Sequence, residues 1–218
     1  MPYFYGRAEA GSVTIAGADA RHLARALRAR PGETIQVIDP ERAVLMAVRL
    51  VSVAPEGVAG VVEDSRPHQP EPAVPVTMAL AMLPASALDE ALARCTELGA
   101  AGFVLVQAER SVARGARPDR WATICREASL LAGRLRVPEV KGPLALDRAL
   151  AACARPLLLE RDGAEPMKAQ STASTLFIGP EGGWTETELA QAPERLLLGP
   201  RNLRAENAAA AALAIALS

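Results

Sequence analysis

Near the end of the chain, four charged residues stand around two glycine-proline corners. Glu181 lies in FIGPEGGWTETEL, and Arg201, Arg204 and Glu206 lie in LLLGPRNLRAEN. A carboxylate in such a place can accept a proton, and a guanidinium can stabilise a developing anion. Three apolar residues enter each corner, Leu176-Phe177-Ile178 and Leu196-Leu197-Leu198, and each triplet reads as the end of a buried strand. After the first corner Thr185 can cap a helix, with Glu188 completing a capping box. A glycine-rich strand-to-helix loop is where backbone N–H groups meet a ligand, and also where a chain simply turns. If both strands are parallel in one sheet, the two corners share its C-terminal edge and frame a ligand crevice.

Several chemistries are excluded there. A phosphate loop needs Gly-Lys-Ser/Thr, but Gly183 precedes Trp184 and Thr185. No G-x-G-x-x-G fingerprint occurs. His22 and His68 are the only histidines and both lie outside this half, so no Ser-His-Asp or Cys-His set can be assembled. The remaining cleft is backbone-lined and mostly apolar, with charges of both signs nearby, which fits a neutral or zwitterionic adenosyl ligand.

The elements that must position these residues follow from two different patterns. Residues 1–70 read as β-rich: GSVTIAG, ETIQVID, AVLMAVRLVSV and GVAGVVEDS are short Val/Ile-enriched runs broken by Gly, Pro and Asp. One helix interrupts them, with Leu23 and Leu27 at i, i+4 and Arg21, Arg25 and Arg28 on a shared stripe. That stripe reads either as a solvated face or as a set of phosphate contacts; charge alone favours the former. RPHQPEPAVP, Arg66 to Pro75, reads as a linker. From residue 74 to 218, buried apolar runs (VTMALAML, GFVLVQAE, PLLLE, STLFIG, RLLLG) alternate with helical segments, which predicts a parallel α/β domain. Ser86 and Asp89 offer a helix cap, and Gly99 a left-handed stop.

Composition sets the outer bounds. The 218 residues carry a formal net charge of −1, which rules out a bulk polycation while leaving room for local basic patches. All but Lys141 and Lys168 of the 24 basic residues are Arg. Cys95, Cys125 and Cys153 show no C-x-x-C spacing and read as core residues of a reducing compartment, without disulfide or metal. The N-terminus lacks a signal-peptide core, and the most apolar run, Ala208 to Leu217, is too short to span a membrane. A cytoplasmic protein is expected. The all-round apolar last helix points to burial on every side and hence to a homodimer.

IGPEGGWTETE followed by LLLGPRNLRAENAAAAALA resembles the paired C-terminal motifs of the RsmE family, SPOUT-type methyltransferases acting on N3 of a uridine in 16S ribosomal RNA. RCTELGAAGFVLVQAERS, RWATICREASLLAGRLRVPEV and RHLARALRARPGETIQVID are similar to upstream family segments. The resemblance implies a trefoil-knotted domain over 74–218, a PUA-like RNA-binding β-barrel over 1–70, and no metal. It implies S-adenosylmethionine as cofactor, held by Ile178, Gly179, Glu181, Gly182 and Gly183 in one loop. Leu198, Gly199, Asn202, Leu203 and Arg204 hold it in the other, beside a turn after PLLLE. The product would be S-adenosylhomocysteine, and the partner the 16S RNA or small ribosomal subunit.

The family's usual R-I-L-R-T-E-T becomes Asn202, Ala205 and Asn207 at three positions here. Leu131-Ala132 stands for a common Gln-Ser pair, and Tyr3 for a near-terminal Arg. Uridine N3 must lose a proton, so Arg204 as anion-stabilising cation and Glu206 as proton acceptor are the catalytic candidates; an ion pair capping the last helix is their structural alternative. Trp184 reads as a base-stacking, core or dimer residue. Two other functions fit the same motifs: a knotted RNA methyltransferase with another target, and a noncatalytic RNA-binding or assembly factor.

Overall fold

Hydrophobic period changes between residues 67 and 76, and the architecture changes with it. The computed structural model describes residues 3–163 and 165–218. It contains two compact units. One comprises the described residues up to Glu71 together with Ser129–Arg136, the other Pro72–Ala128 with Val137–Ser218.

In the first unit the described residues form β1 (Tyr3–Tyr5), β2 (Ala8–Glu9), β3 (Ser12–Ala16), β4 (Thr34–Asp39), β5 (Val44–Ala54) and β6 (Gly57–Pro67). Their order in one sheet is β1-β4-β5-β6-β3-β2, with β1 parallel to β4 and the other pairs antiparallel. Alternation buries Val13 and Ile15 of β3 and leaves Ser12 and Thr14 outside. Phe4, Val37, Met46 and Leu50 fill the core beneath. β6 runs through Arg66 and Pro67, which sequence assigns to the linker. β3 pairs only as far as Val61, so beyond it β6 has β5 alone beside it and tolerates proline as an edge strand does.

The helix α1 (Gly17–Arg21) runs into a π turn over His22–Ala26, where the Leu27 N–H donates to the His22 carbonyl at 3.0 Å. The wider turn breaks the expected i, i+4 face. Leu23 is fully buried while Leu27 is 45% exposed. Arg28 leaves the turn at φ +51°.

Part of the proline-rich segment is stapled rather than free. Glu71 accepts Nη2 of Arg134 at 2.6 Å and the N–H groups of Leu135 and Arg136 at 3.0 and 3.3 Å. Burial alone would raise the Glu71 pKa; the guanidinium and the two amides outweigh it and hold the carboxyl below its ordinary value of 4.5. The Tyr5 hydroxyl donates to the Arg134 carbonyl at 2.8 Å, and the Tyr3 ring packs on Gly133.

In the second unit lie β7 (Val76–Ala81), β8 (Gly102–Gln107), β9 (Val140–Ala145), β10 (Pro156–Leu159), β11 (Glu165–Pro166), β12 (Ser174–Ile178) and β13 (Arg195–Leu197). All pairs in the order β11-β13-β10-β12-β7-β8-β9 are parallel. Met78, Leu80, Phe103, Leu105, Leu157 and Phe177 are fully buried, as sheets covered on both faces require. β9 has no apolar run to announce it: it is an edge strand whose register shifts against β8 near Gly142 and Pro143.

The unit's helices are α2 (Ala85–Leu98), α3 (Pro118–Leu131), α4 (Leu146–Ala152), α5 (Glu186–Leu189) and α6 (Ala205–Ala216). Gly99 ends α2 at φ +105°, as its sequence position predicts. The Ser86–Asp89 cap does not form. α2 begins at Ala85 behind Pro84 with no side-chain cap, and Asp89 instead accepts Nε of Arg120 at 2.9 Å. α6 has two faces rather than one environment. Ala209, Ala212 and Leu213 are fully buried against the unit's own α2, β7 and β12, whereas Asn207 and Ala214 are exposed and Ala210 and Ala211 half-buried. Among the described residues no helix is long and apolar enough to cross a membrane.

Candidate functional site

β13, β10 and β12 lie side by side and parallel, so three loops leave the same sheet edge. They enclose a cavity of about 340 Å³. The loop after β10 contributes Glu160, Arg161 and Asp162. From the glycine-rich loop come Ile178, Gly179, Glu181 and Gly183, and from the second corner Leu198, Gly199, Asn202 and Leu203. Eight of the ten residues expected to hold the cofactor therefore converge here. The other two, Gly182 and Arg204, are not on its wall. Four carboxylates (Glu160, Asp162, Glu181, Glu186) and two guanidinium groups (Arg161, Arg201) line the cavity. That balance suits a ligand carrying both signs with positive charge in excess.

The glycine-rich loop is fixed from two sides. On one, the Trp184 indole N–H donates to the Leu159 carbonyl at 3.1 Å, and the ring is 6% exposed. Trp184 is thus a buried wall residue rather than an exposed base-stacking platform. Glycine suits position 179, because a Cβ there would stand 3.0 Å from the indole Cε2 and Nε1 and press the ring back. On the other side, the loop after β8 reaches across. Arg110 Nη1 donates to the Gly182 carbonyl at 2.8 Å and lies 3.3 Å from the Trp184 carbonyl.

The capping box read from sequence is present and has a second use. Glu188 accepts the Thr185 N–H on Oε2 at 2.9 Å, the Thr185 hydroxyl accepts the Glu188 N–H at 3.2 Å, and Glu188 Oε1 accepts the Glu109 N–H at 2.9 Å. Glu109, Arg110 and Trp184 escape sequence reasoning as loop supports. The acidic residue at the third helical position is the one local signal, and its second partner is 79 residues away.

The two catalytic candidates are placed differently. Arg204 is exposed at the N-cap of α6. Glu206 is only 7% exposed in the first turn, and its Oε2 has neither solvent nor a hydrogen-bond partner. The two do not pair, so the helix-capping ion pair is not formed. Its position at a helix N-terminus offsets part of the cost of burying that charge. Arg21, Arg25 and Arg28 are exposed in the first unit, and none forms an ion pair among the described residues.

Comparison with known proteins places the chain in a family. The model of the RNA methyltransferase domain family matches residues 69–217. The ribosomal RNA small subunit methyltransferase E of Synechocystis sp. is 32% identical over 93% of this chain and 72% of its own. That of Mycobacterium bovis is 33% identical over 94% and 86%. The crystal structure of the Neisseria gonorrhoeae methyltransferase E bound to S-adenosyl methionine superposes with a TM-score of 0.83 at 28% identity, covering 98% of this chain and 95% of that one. A chain this similar along most of its length, with its three loops closing one cavity, belongs to the ribosomal RNA small subunit methyltransferase E family.

Proposed function

We propose that this protein transfers a methyl group from S-adenosylmethionine to N3 of a uridine in 16S ribosomal RNA of the small subunit, in the cytoplasm. The observation that carries the reading is the three-loop cavity, whose mixed charges fit a ligand bearing an ammonium, a sulfonium and a carboxylate. A relative 28% identical holds that cofactor, and relatives above 30% identity are named for the RNA.

When bound, the cofactor supplies a sulfonium methyl that is already activated, so the chain's task is positioning. Ile178, Gly179, Glu181, Gly183, Leu198, Gly199, Asn202 and Leu203 hold it, mostly through backbone; Gly182 and Arg204 lie in the same loops outside the wall. Arg204, exposed at the N-cap of α6, stabilises the uridine anion through the base carbonyls. Glu206, whose Oε2 is buried without a hydrogen-bond partner, accepts the N3 proton.

Residues 1–70 act as the RNA-binding unit, a PUA-like barrel presenting Arg21, Arg25 and Arg28, and 74–218 as a trefoil-knotted methyltransferase domain. Support for the knot comes from β13, which enters between the earlier strands β10 and β11, with Gly163 pressed so close to the Leu196 backbone that a Cβ would overlap it. The protein works as a homodimer through the outer face of α6, where Ala210, Ala211 and Ala214 leave room for a second helix.

Titration calorimetry with S-adenosylmethionine, followed by mass-spectrometric nucleoside analysis of small-subunit RNA, tests the reading. Cofactor binding and 3-methyluridine are expected. A folded chain that binds no cofactor would overturn it; RNA binding without methyl transfer would mark a noncatalytic assembly factor instead.

A further inference from the structure

Ten residues, 108–117, join β8 to α3, and they are held far more tightly than their composition suggests. Glu109 donates its N–H to Glu188, and Arg110 grips the Gly182 and Trp184 carbonyls. Ser111 is 6% exposed and its N–H donates to the Ala108 carbonyl at 3.1 Å; the Gln107 side chain donates to the Ala113 carbonyl at 3.4 Å. Beyond these anchors the segment turns outward. Val112 is 80% exposed, and a Cβ added to Gly115, at φ +88°, would meet nothing within 4 Å.

Arg114 and Arg117 stand on this outward part, both exposed and neither in an ion pair among the described residues. Their neighbours in the fold are treated differently. Arg120 is held by Asp89 and Arg94 by Glu90. Glu109 and Asp119, the acids of the same stretch, pair with neither free arginine. The cavity beneath Arg114 and Arg117 is only about 50 Å³, too small for a nucleobase. A partner of opposite charge therefore meets guanidinium groups at the surface and inserts nothing, which is how a phosphate backbone is bound.

We propose that the 109–117 loop is an RNA-backbone contact of the methyltransferase domain, with Arg114 and Arg117 each neutralising a phosphate of the substrate strand. The proposal rests on the RNA methyltransferase reading above. Arg110 of the same loop bonds the Gly182 and Trp184 carbonyls, so the loop that would carry the RNA strand is also the one that braces the wall of the cofactor cavity.

The test compares the full chain with its R114Q/R117Q and R114K/R117K variants, using a fluorescein-labelled single-stranded uridine-containing RNA over a range of salt. Loss of two phosphate contacts lowers the slope of log K against log salt by about 1.4 for a single strand. The glutamine variant should show that drop and a raised KM for RNA, with kcat and S-adenosylmethionine affinity unchanged. The lysine variant should recover the slope. A parental slope in R114Q/R117Q overturns the proposal, as does a lysine variant no better than the glutamine one. Parent protein that binds this RNA but methylates no small-subunit RNA refutes the catalytic reading instead and leaves the slope measurement decisive for this surface. Parent protein that binds no RNA refutes both.

Discussion

The carboxylate of Glu188 and the backbone N–H of Glu109 are 2.9 Å apart, and this one bond joins the helix that follows the glycine-rich loop to the loop that follows β8. Arg110 of the same loop donates to the Gly182 carbonyl, so the loop after β8 supplies the donor of both bonds, one to a side chain and one to the backbone. The cavity wall is therefore set by side chains that never enter the cavity.

Arg110→Ala should accordingly raise the Kd for S-adenosylmethionine on the order of tenfold, the size of one charge-assisted hydrogen bond. Arg110→Lys should recover part of it. Calorimetry giving a parental Kd in a folded alanine variant would show that the loop holds its shape unaided.

Gly179 and Gly182 should respond unequally to a methyl group. At Gly179 the added Cβ presses on the Trp184 indole at 3.0 Å, whereas at Gly182 it meets only the Arg110 stem at 3.4 Å, an ordinary contact. Gly179→Ala is expected to cost roughly 1–3 kcal/mol by overpacking and to weaken cofactor binding with it. Gly182→Ala should stay close to the parent in both. Thermal melts and calorimetry on the pair decide, and equal effects would contradict the geometry.

Glu206→Gln removes a charge that has no partner in a buried site. Stability should hold or rise, because an unpaired buried carboxylate is unfavourable. If Glu206 takes the N3 proton, kcat falls by about 10²–10⁴ while the melting temperature does not. Parental turnover in this variant would remove Glu206 from the reaction.

The Glu71–Arg134 pair predicts an acid limb to stability. Glu71 has a folded pKa below its ordinary 4.5, so the folded state binds its proton less readily than the unfolded chain does. Its contribution is complete above that ordinary value and is lost as pH falls through the lower, folded one. Glu71→Gln should therefore narrow the stability gap to the parent as pH drops below about 4.5. Urea unfolding from pH 7 to pH 3 measures this, and a gap independent of pH would refute it.

Much of the fold is legible in the residues because its strongest signals are local. The five apolar runs of the second unit become β7, β8, β10, β12 and β13, and both Gly-Pro corners lie at one sheet edge because all those strands are parallel. What was illegible depends on partners distant in sequence. β9 lacks a hydrophobic run because an edge strand needs little of one. Pro67 continues β6 because only one neighbour is present there. Leu27 is the local exception: it is exposed because a single π turn overrides the i, i+4 spacing. At the site, glycines and apolar triplets announce the cavity, but Arg110 supports it from across the fold, and its identity as a brace is invisible in ERSVARGAR.

β13 pairs with β10 on one side and β11 on the other, although both precede it in the chain. Among the described strands Arg195–Leu197 come last in the chain, and until they are made the place between β10 and β11 has no strand to fill it. A chain stopped before Arg195 leaves the open N–H and C=O groups of β10 facing solvent and β11 without a neighbour, a ready template for pairing with another such chain. Fragments that end before Arg195 are therefore expected to aggregate, whereas the full chain fills the place between β10 and β11 with its last strand.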